Sequence, residues 1–374
     1  MELGLLGLAA GLYLLGCVVS GSKSDKWGRK RLTLLSCLLM AALYPFLGTA
    51  GSFAALLAVY CICSASMSLL WPPMMAWLPE QEDKRSLSAS VGILNVSWST
   101  GYGLAPVLGG FLAERSLRLP LFATTAGLLL VIAVLFSTKS GGRPREESER
   151  ARPASPLAST FLAMAWIGNF SLVFCLSLST VLLPKVTTEM GVSTAILGAV
   201  LASSGIARTA MFVFAGFFSG WQYRLWPLVA VQLGSAAGML VVFWGADAVL
   251  WGMGLTVLGL GLGLTFYSSV LYSLEYSHSR RGLRAGIHES FVGSSMLLGP
   301  VCGGLVANTT GSLKSPWLMG AAIPFVAAIA SLTIYWIGSE RLRRNSVRKA
   351  IAPQAAAPSP CGQPSAGSPP RTET

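Results

Sequence analysis

Gly21-Ser22-Lys23-Ser24-Asp25-Lys26-Trp27-Gly28-Arg29-Lys30-Arg31 crowds five cations and one carboxylate into a short stretch between two runs that carry no charge at all. The flanking runs, 3–20 and 32–48, are each long enough to cross roughly 30 Å of hydrocarbon as a helix. Lipid cannot satisfy a free backbone N–H or C=O, so a run buried in it has to be helical. Moving outward, similar apolar runs recur at 53–78, 87–112, 120–136, 159–183, 194–218, 225–244, 248–273, 285–307 and 315–338. Hydrophobic residues make up 53% of the 374, and charged residues only 11%. The mean hydropathy is +0.62. A water-soluble core cannot absorb that much apolar surface without large exposed patches. The expected fold is therefore an all-α polytopic membrane protein of about eleven transmembrane helices, arranged five plus six.

Lys and Arg favour the cytoplasmic loops of such a protein. With the Gly21–Arg31 loop inside, the inner loops and the C-terminal tail hold 22 of the 27 Lys and Arg. The outer loops hold Arg115, Arg118, Lys185 and Lys314, and Arg208 lies within a span. This asymmetry predicts an exterior N-terminus and a cytoplasmic C-terminus in the cytoplasmic membrane. It also accounts for the net charge of +12 without a nucleic-acid partner. Residues 1–20 lack the basic leading region of a cleaved signal peptide and read as a retained span. The expected organisation is a first bundle over 1–136 and a polar linker over 137–158. A second bundle follows over 159–338, then a basic, Pro-rich, disordered tail over 339–374, whose first part can rest on anionic headgroups.

Six of the seven cysteines sit in apolar runs as small buried hydrophobes; Cys361 is the exception. Cys61 and Cys63 lack neighbouring ligands, and the chain has only two histidines, His278 and His288. No metal or cofactor is expected. A nucleophile–base pairing or nucleotide-binding loop is not recognisable either, so the residues do not point to an enzyme.

The chain repeats itself. Gly92, Gly101, Ala105-Pro106 and Gly109-Gly110 in the fourth span reappear as Gly286, Ser295, Gly299-Pro300 and Gly303-Gly304 in the tenth, each displaced by 194. Two readings stand side by side. Small residues let helices pack closely, and a Pro that removes a backbone bond beside flexible Gly makes a bendable gate. The same offset puts the seventh span at the start of the chain and the sixth before residue 1. The layout thus reads as a twelve-helix design without its first span, through either a misassigned start or a truncated product.

The Gly21–Arg31 loop resembles the G-x-x-x-D-[RK]-x-G-R-[RK] signature of the major facilitator superfamily, at Gly21, Asp25, Lys26, Gly28, Arg29 and Lys30. The duplicated Gly/Pro helix resembles that superfamily's antiporter motif, with Ala105 in place of the usual Gly. The resemblance covers residues 1–338. Read from the residues alone, Gly21 and Gly28 permit the tight reversal between helices. Arg29 can pair with Glu80, Glu82 or Asp83, and Lys23, Lys26, Lys30 and Arg31 can serve simply as topology anchors. The resemblance implies that Asp25 faces the positive N-terminal end of the tenth span, expected near Ala285, as a latch on the outward-open state. A second copy of the loop, near Gly216 to Trp226, has lost its acid, so the latch is expected to be one-sided.

Arg208 and Glu289 are charges at membrane depth, where an Arg costs about 2.5–3.5 kcal/mol on insertion scales. They are candidates for an ion pair, a coupling carboxylate or a gate. Arg208 is alternatively a contact for an anionic substrate group, and Glu289 a headgroup-level residue neutralised by Arg284 or the helix start. The resemblance implies a central cavity lined by the third, sixth and ninth spans. Its candidates are Tyr60, Trp71, Trp166, Asn169, Tyr267 and Tyr272, with Asn95, Ser97 and Trp98 of the fourth span close by. Pro72-Pro73 should bend the third span. The expected function is secondary active transport of a small amphipathic molecule, coupled to protons, by a monomer, with export favoured. Uptake of a sugar or organic anion, and a truncated, non-transporting membrane protein or sensor, are the alternatives.

Overall fold

The computed structural model describes residues 2–78, 87–113, 115–138, 155–276 and 280–351, and among these there is no strand. Twelve helices follow in order: α1 (Glu2–Trp27), α2 (Arg29–Leu47), α3 (Phe53–Met67), α4 (Trp71–Trp77), α5 (Leu87–Ala113), α6 (Leu119–Ser137), α7 (Ala158–Glu189), α8 (Thr194–Phe217), α9 (Leu225–Trp244), α10 (Ala248–Glu275), α11 (Arg281–Thr310) and α12 (Ser315–Ile351). Nine stretches qualify as spans by length and composition, with α3 and α4 counted as one. The 26-residue α1 and the 27-residue α5 are also longer than the ~20 residues a crossing needs. That makes eleven spans among the described residues, five before residue 139 and six after residue 154.

Three differences from expectation have local causes. The run 53–78 is two helices, broken by a turn at Ser68–Leu70. Pro72 and Pro73 occupy the first turn of α4, where a missing N–H breaks no helical bond. The tenth span begins at Arg281, not near Ala285. The helix of the eleventh span continues well past residue 338, so 339–351 is not disordered tail. Glu340 pairs there with Arg343 and Arg344, each at 3.0 Å, one helical turn away. The linker over 139–154 and the tail from 352 lie outside the described residues.

Local chemistry sets several helix starts. Ser52, Ser193 and Asp247 cap α3, α8 and α10 by accepting from Ala55 N, Ile196 N and Leu250 N. All three stand at the end expected to be exterior. Most of the core sits among α7–α12, with Met75 of α4 and Val91 of α5 joining it. Leu172, Leu178, Met239, Leu255, Trp251 and Trp317 fill one cluster, and Phe161, Met164, Phe212, Tyr267 and Leu271 another. The most apolar 18-residue window of α7 is 72% buried and that of α6 only 6%. Leu129, Leu130, Val134 and Phe136 of α6 accordingly point outward, as lipid-facing residues should. Small residues set the closest approaches: a Cβ on Gly259 would meet the Ser204 backbone of α8, and one on Gly254 the Gly238 carbonyl of α9. Two contact regions among the described residues join the first five spans to the last six: α1 and α4 against α11, and α5 against α8 and α10.

Candidate functional site

The first contact is built around the charged loop. The start of α11 leaves N–H groups without helical partners, and its own N-cap, Arg280, supplies no side-chain acceptor. Asp25 supplies it from α1. Its Oδ1 accepts from Gly282 N at 3.0 Å and its Oδ2 from Leu283 N at 3.3 Å. The carboxylate thus sits at the positive end of α11. Arg29 Nη2 reaches Asp25 Oδ1 at 3.1 Å, and its Nη1 donates to the Ala76 carbonyl at the end of α4. The partners expected for Arg29, Glu80, Glu82 and Asp83, lie outside the described residues. Lys30 turns the other way and donates to the Thr138 carbonyl at 2.5 Å.

The two loop glycines do different work. Gly28 has φ of 94°, a backbone that L side chains rarely adopt, and makes the reversal. Gly21 does not, because α1 runs on to Trp27. A Cβ there would strike the Gly282 carbonyl, so Gly21 is where α1 and α11 touch. Gly286 meets the Cys17 carbonyl in the same way.

The second contact mirrors the first without its acid. Gly92, the counterpart of Gly286, lies against Gly216 of α8. Ser88, the counterpart of Gly282, receives Gln222 Nε2 at 3.0 Å and bonds Tyr267 Oη at 3.1 Å. Ser99 and Thr209 join α5 to α8 at 2.6 Å. The two copies of the Gly/Pro helix diverge. Gly299 and Gly303 press on Phe174, Ser177, Leu178 and Leu182 of α7, and α11 runs unbroken through Pro300. Gly101, Gly109 and Gly304 face open space. Pro106 and Gly110 lie in α5, but their side-chain surroundings fall outside the described residues.

Arg208 and Glu289 do not pair. Each faces a different helix of the first half: Arg208 turns to α5, Glu289 to α1. Glu289, 4% exposed, accepts from Tyr13 Oη at 2.6 Å. His288 Nε2 stands 3.7 Å from its other oxygen, and His288 Nδ1 bonds Ser269 at 2.6 Å. Glu289 is thus enclosed by protein, and Arg284 does not neutralise it but stacks on Tyr276. Arg208 lies over Trp98 at 4.9 Å and Tyr102 at 5.5 Å. Two cation–π contacts, at about 0.5–2 kcal/mol each, offset part of its insertion cost.

The expected cavity residues scatter. Trp98 packs with Trp71, Phe212 and Phe266 beside Arg208, and its Nε1 donates to Asn95 Oδ1 at 3.0 Å. Trp166 donates to Ser273 at 2.9 Å and packs on Phe291. Asn169 is fully buried. Tyr267 and Tyr272 are closed over, not open walls: Tyr267 bonds Ser88, and Tyr272 stacks on Tyr223 at 4.6 Å. Tyr60 is 44% exposed. Reading the sequence missed Tyr13, Ser88 and Gln222. The 194-residue offset from Gly282 marks Ser88; a lone Tyr in an apolar run marks nothing.

Comparison with known proteins agrees with this architecture. Multidrug resistance protein 1 of Bacillus subtilis (strain 168) is 22% identical over 366 residues, spanning 92% of this chain and 91% of its own length. Quinolone resistance protein NorA of Staphylococcus aureus (strain COL) is 21% identical over 351 residues, 88% of each. The human organic anion transporter MFSD10 (TETRAN) superposes with a TM-score of 0.71 at 19% identity, covering 88% of this chain and 83% of its own. The Major Facilitator Superfamily pattern matches residues 1–277. Eleven helical spans, the charged loop docked on α11 and that match together establish that this multi-pass membrane protein belongs to the major facilitator superfamily, a family of transporters and not of enzymes.

Proposed function

We propose that the protein is a proton-coupled exporter of small amphipathic compounds that works by alternating access in the cytoplasmic membrane. Two halves, 1–136 and 159–338, would rock about a midplane site, joined by the linker 137–158, with the charged loop and the C-terminus in the cytoplasm. The observation that carries the reading is the Tyr13–Glu289 hydrogen bond. It ties a buried carboxylate on α11 to α1 across the contact between the halves. Such a carboxylate is costly unless bonded. A proton arriving on Glu289 changes what the α1–α11 contact is worth, so protonation and opening become linked. Asp25 then acts as the conformational latch of the same contact, with Gly21 setting how closely the helices approach. Small-residue packing of Gly299 and Gly303 on α7 would keep α11 rigid as it moves. The names of the bacterial relatives, multidrug and quinolone resistance proteins, support export and an amphipathic substrate.

The test uses purified protein in proteoliposomes with an imposed pH gradient and norfloxacin, a fluorescent quinolone, as probe. Wild type should accumulate norfloxacin against its gradient. Glu289→Gln should abolish gradient-driven accumulation while leaving downhill exchange and the thermal unfolding midpoint near wild type. Undiminished gradient-driven accumulation in that variant would remove the coupling role.

A further inference from the structure

We propose that Arg208, Trp98 and Asn95 form the anchor for a carboxylate group, so that the compounds carried are aromatic or amphipathic organic anions. This rests on the reading above that the chain transports small amphipathic molecules, and it narrows their class. Arg208 is 7% exposed and Asn95 0%. Their Nε and Nδ2 atoms are buried without a hydrogen-bond partner among the described residues. Ion pairs there join Arg29 to Asp25, His288 to Glu289, and Arg343 and Arg344 to Glu340. Arg208 has no carboxylate within 4 Å among those residues.

Trp98 connects the two donors. Its ring carries the guanidinium at 4.9 Å, and its Nε1 donates to Asn95 at 3.0 Å. An indole N–H only donates, so the amide oxygen of Asn95 must face it and the amide NH2 is left over. The cluster therefore offers a guanidinium fork and an amide donor, while the Asn95 oxygen is already engaged by the indole N–H. A carboxylate matches that set, because it accepts only and fits the fork in two places. A sugar hydroxyl would need acceptors as well, and a cation would meet Arg208. Trp71, Phe212 and Phe266, whose rings pack on Trp98 or on each other at 5.3–6.4 Å, supply apolar faces for the rest of the ligand. The Ser99–Thr209 bond, one residue along from Trp98 and from Arg208, places the anchor on the α5–α8 contact. An anion bound there touches both halves.

The test is equilibrium binding to the detergent-purified full chain, which needs no gradient. The probes are 1-naphthoate and its uncharged isostere 1-naphthamide. Wild type should bind the carboxylate at least about tenfold more tightly than the amide. Arg208→Gln and Asn95→Asp should each lose that preference while keeping a wild-type unfolding midpoint. Arg208→Lys, which keeps the charge but not the fork, should fall between. Equal binding of the two probes by wild type, no binding of the carboxylate, or an unchanged preference in Arg208→Gln would overturn the proposal. If the preference is absent while norfloxacin still accumulates, the anchor alone fails. If it is present while no gradient-driven flux occurs, the coupled-transport reading alone fails.

Discussion

Replacing Asp25 by Asn isolates the charge that closes the α1–α11 contact while leaving the side chain almost unchanged in size. The carboxylate holds two otherwise orphaned N–H groups, Gly282 at 3.0 Å and Leu283 at 3.3 Å, and meets Arg29 at 3.1 Å. An amide oxygen can keep the first of these as a neutral bond, but an NH2 group then confronts the Leu283 N–H. The exchange forfeits the interaction with the helix end and turns one charge-assisted bond into none. Together these are worth about 1–3 kcal/mol for a partly buried carboxylate. The open population of the contact should therefore rise about 5- to 150-fold. Hydrogen exchange reads this directly, because nothing within α11 protects its first amides. The Gly282 and Leu283 amides should exchange faster by that factor in Asp25→Asn, while amides from the middle of α11 stay at wild-type rates. Spin labels at exposed Lys26→Cys and Arg280→Cys should report a larger separated population. Wild-type exchange at Gly282 and Leu283, together with an unchanged distance distribution, would refute the latch.

The second contact should respond at the opposite pair of helices. Tyr267→Phe removes a hydroxyl bonded to Ser88, so exchange of the first turn of α5 should speed up while α11 keeps its protection; the reverse pattern would contradict the mirrored arrangement. The Gly/Pro copies can be separated by alanine. Gly299→Ala drives a methyl against the Phe174 carbonyl at 2.6 Å and should lower stability by about 1–3 kcal/mol in thermal unfolding. Gly101→Ala meets open space and should leave the midpoint unchanged; if it nevertheless stops transport, α5 bends there as a gate.

Much of the fold is legible in the order of the residues, and much of the site is not. Runs near twenty apolar residues can only be helices in lipid, so the spans follow from local composition. Lys and Arg mark the loops, and the 194-residue repeat by itself pairs α5 with α11. The family resemblance of the Gly21–Arg31 motif also implied that Asp25 faces the start of α11, where its carboxylate accepts from Gly282 and Leu283. The facing of other individual side chains was not legible. A helix that is apolar all round has no polar stripe to show which side turns inward. Arg208 and Glu289 therefore look like natural partners in a list of membrane charges, yet packing rotates one toward Trp98 and the other toward Tyr13. Gly21 looks like a turn residue until α1 is seen to run past it. Composition and spacing determined that this chain is a duplicated set of membrane helices. Only the close approach of those helices, fixed by where glycines let backbones touch, decided which buried groups meet.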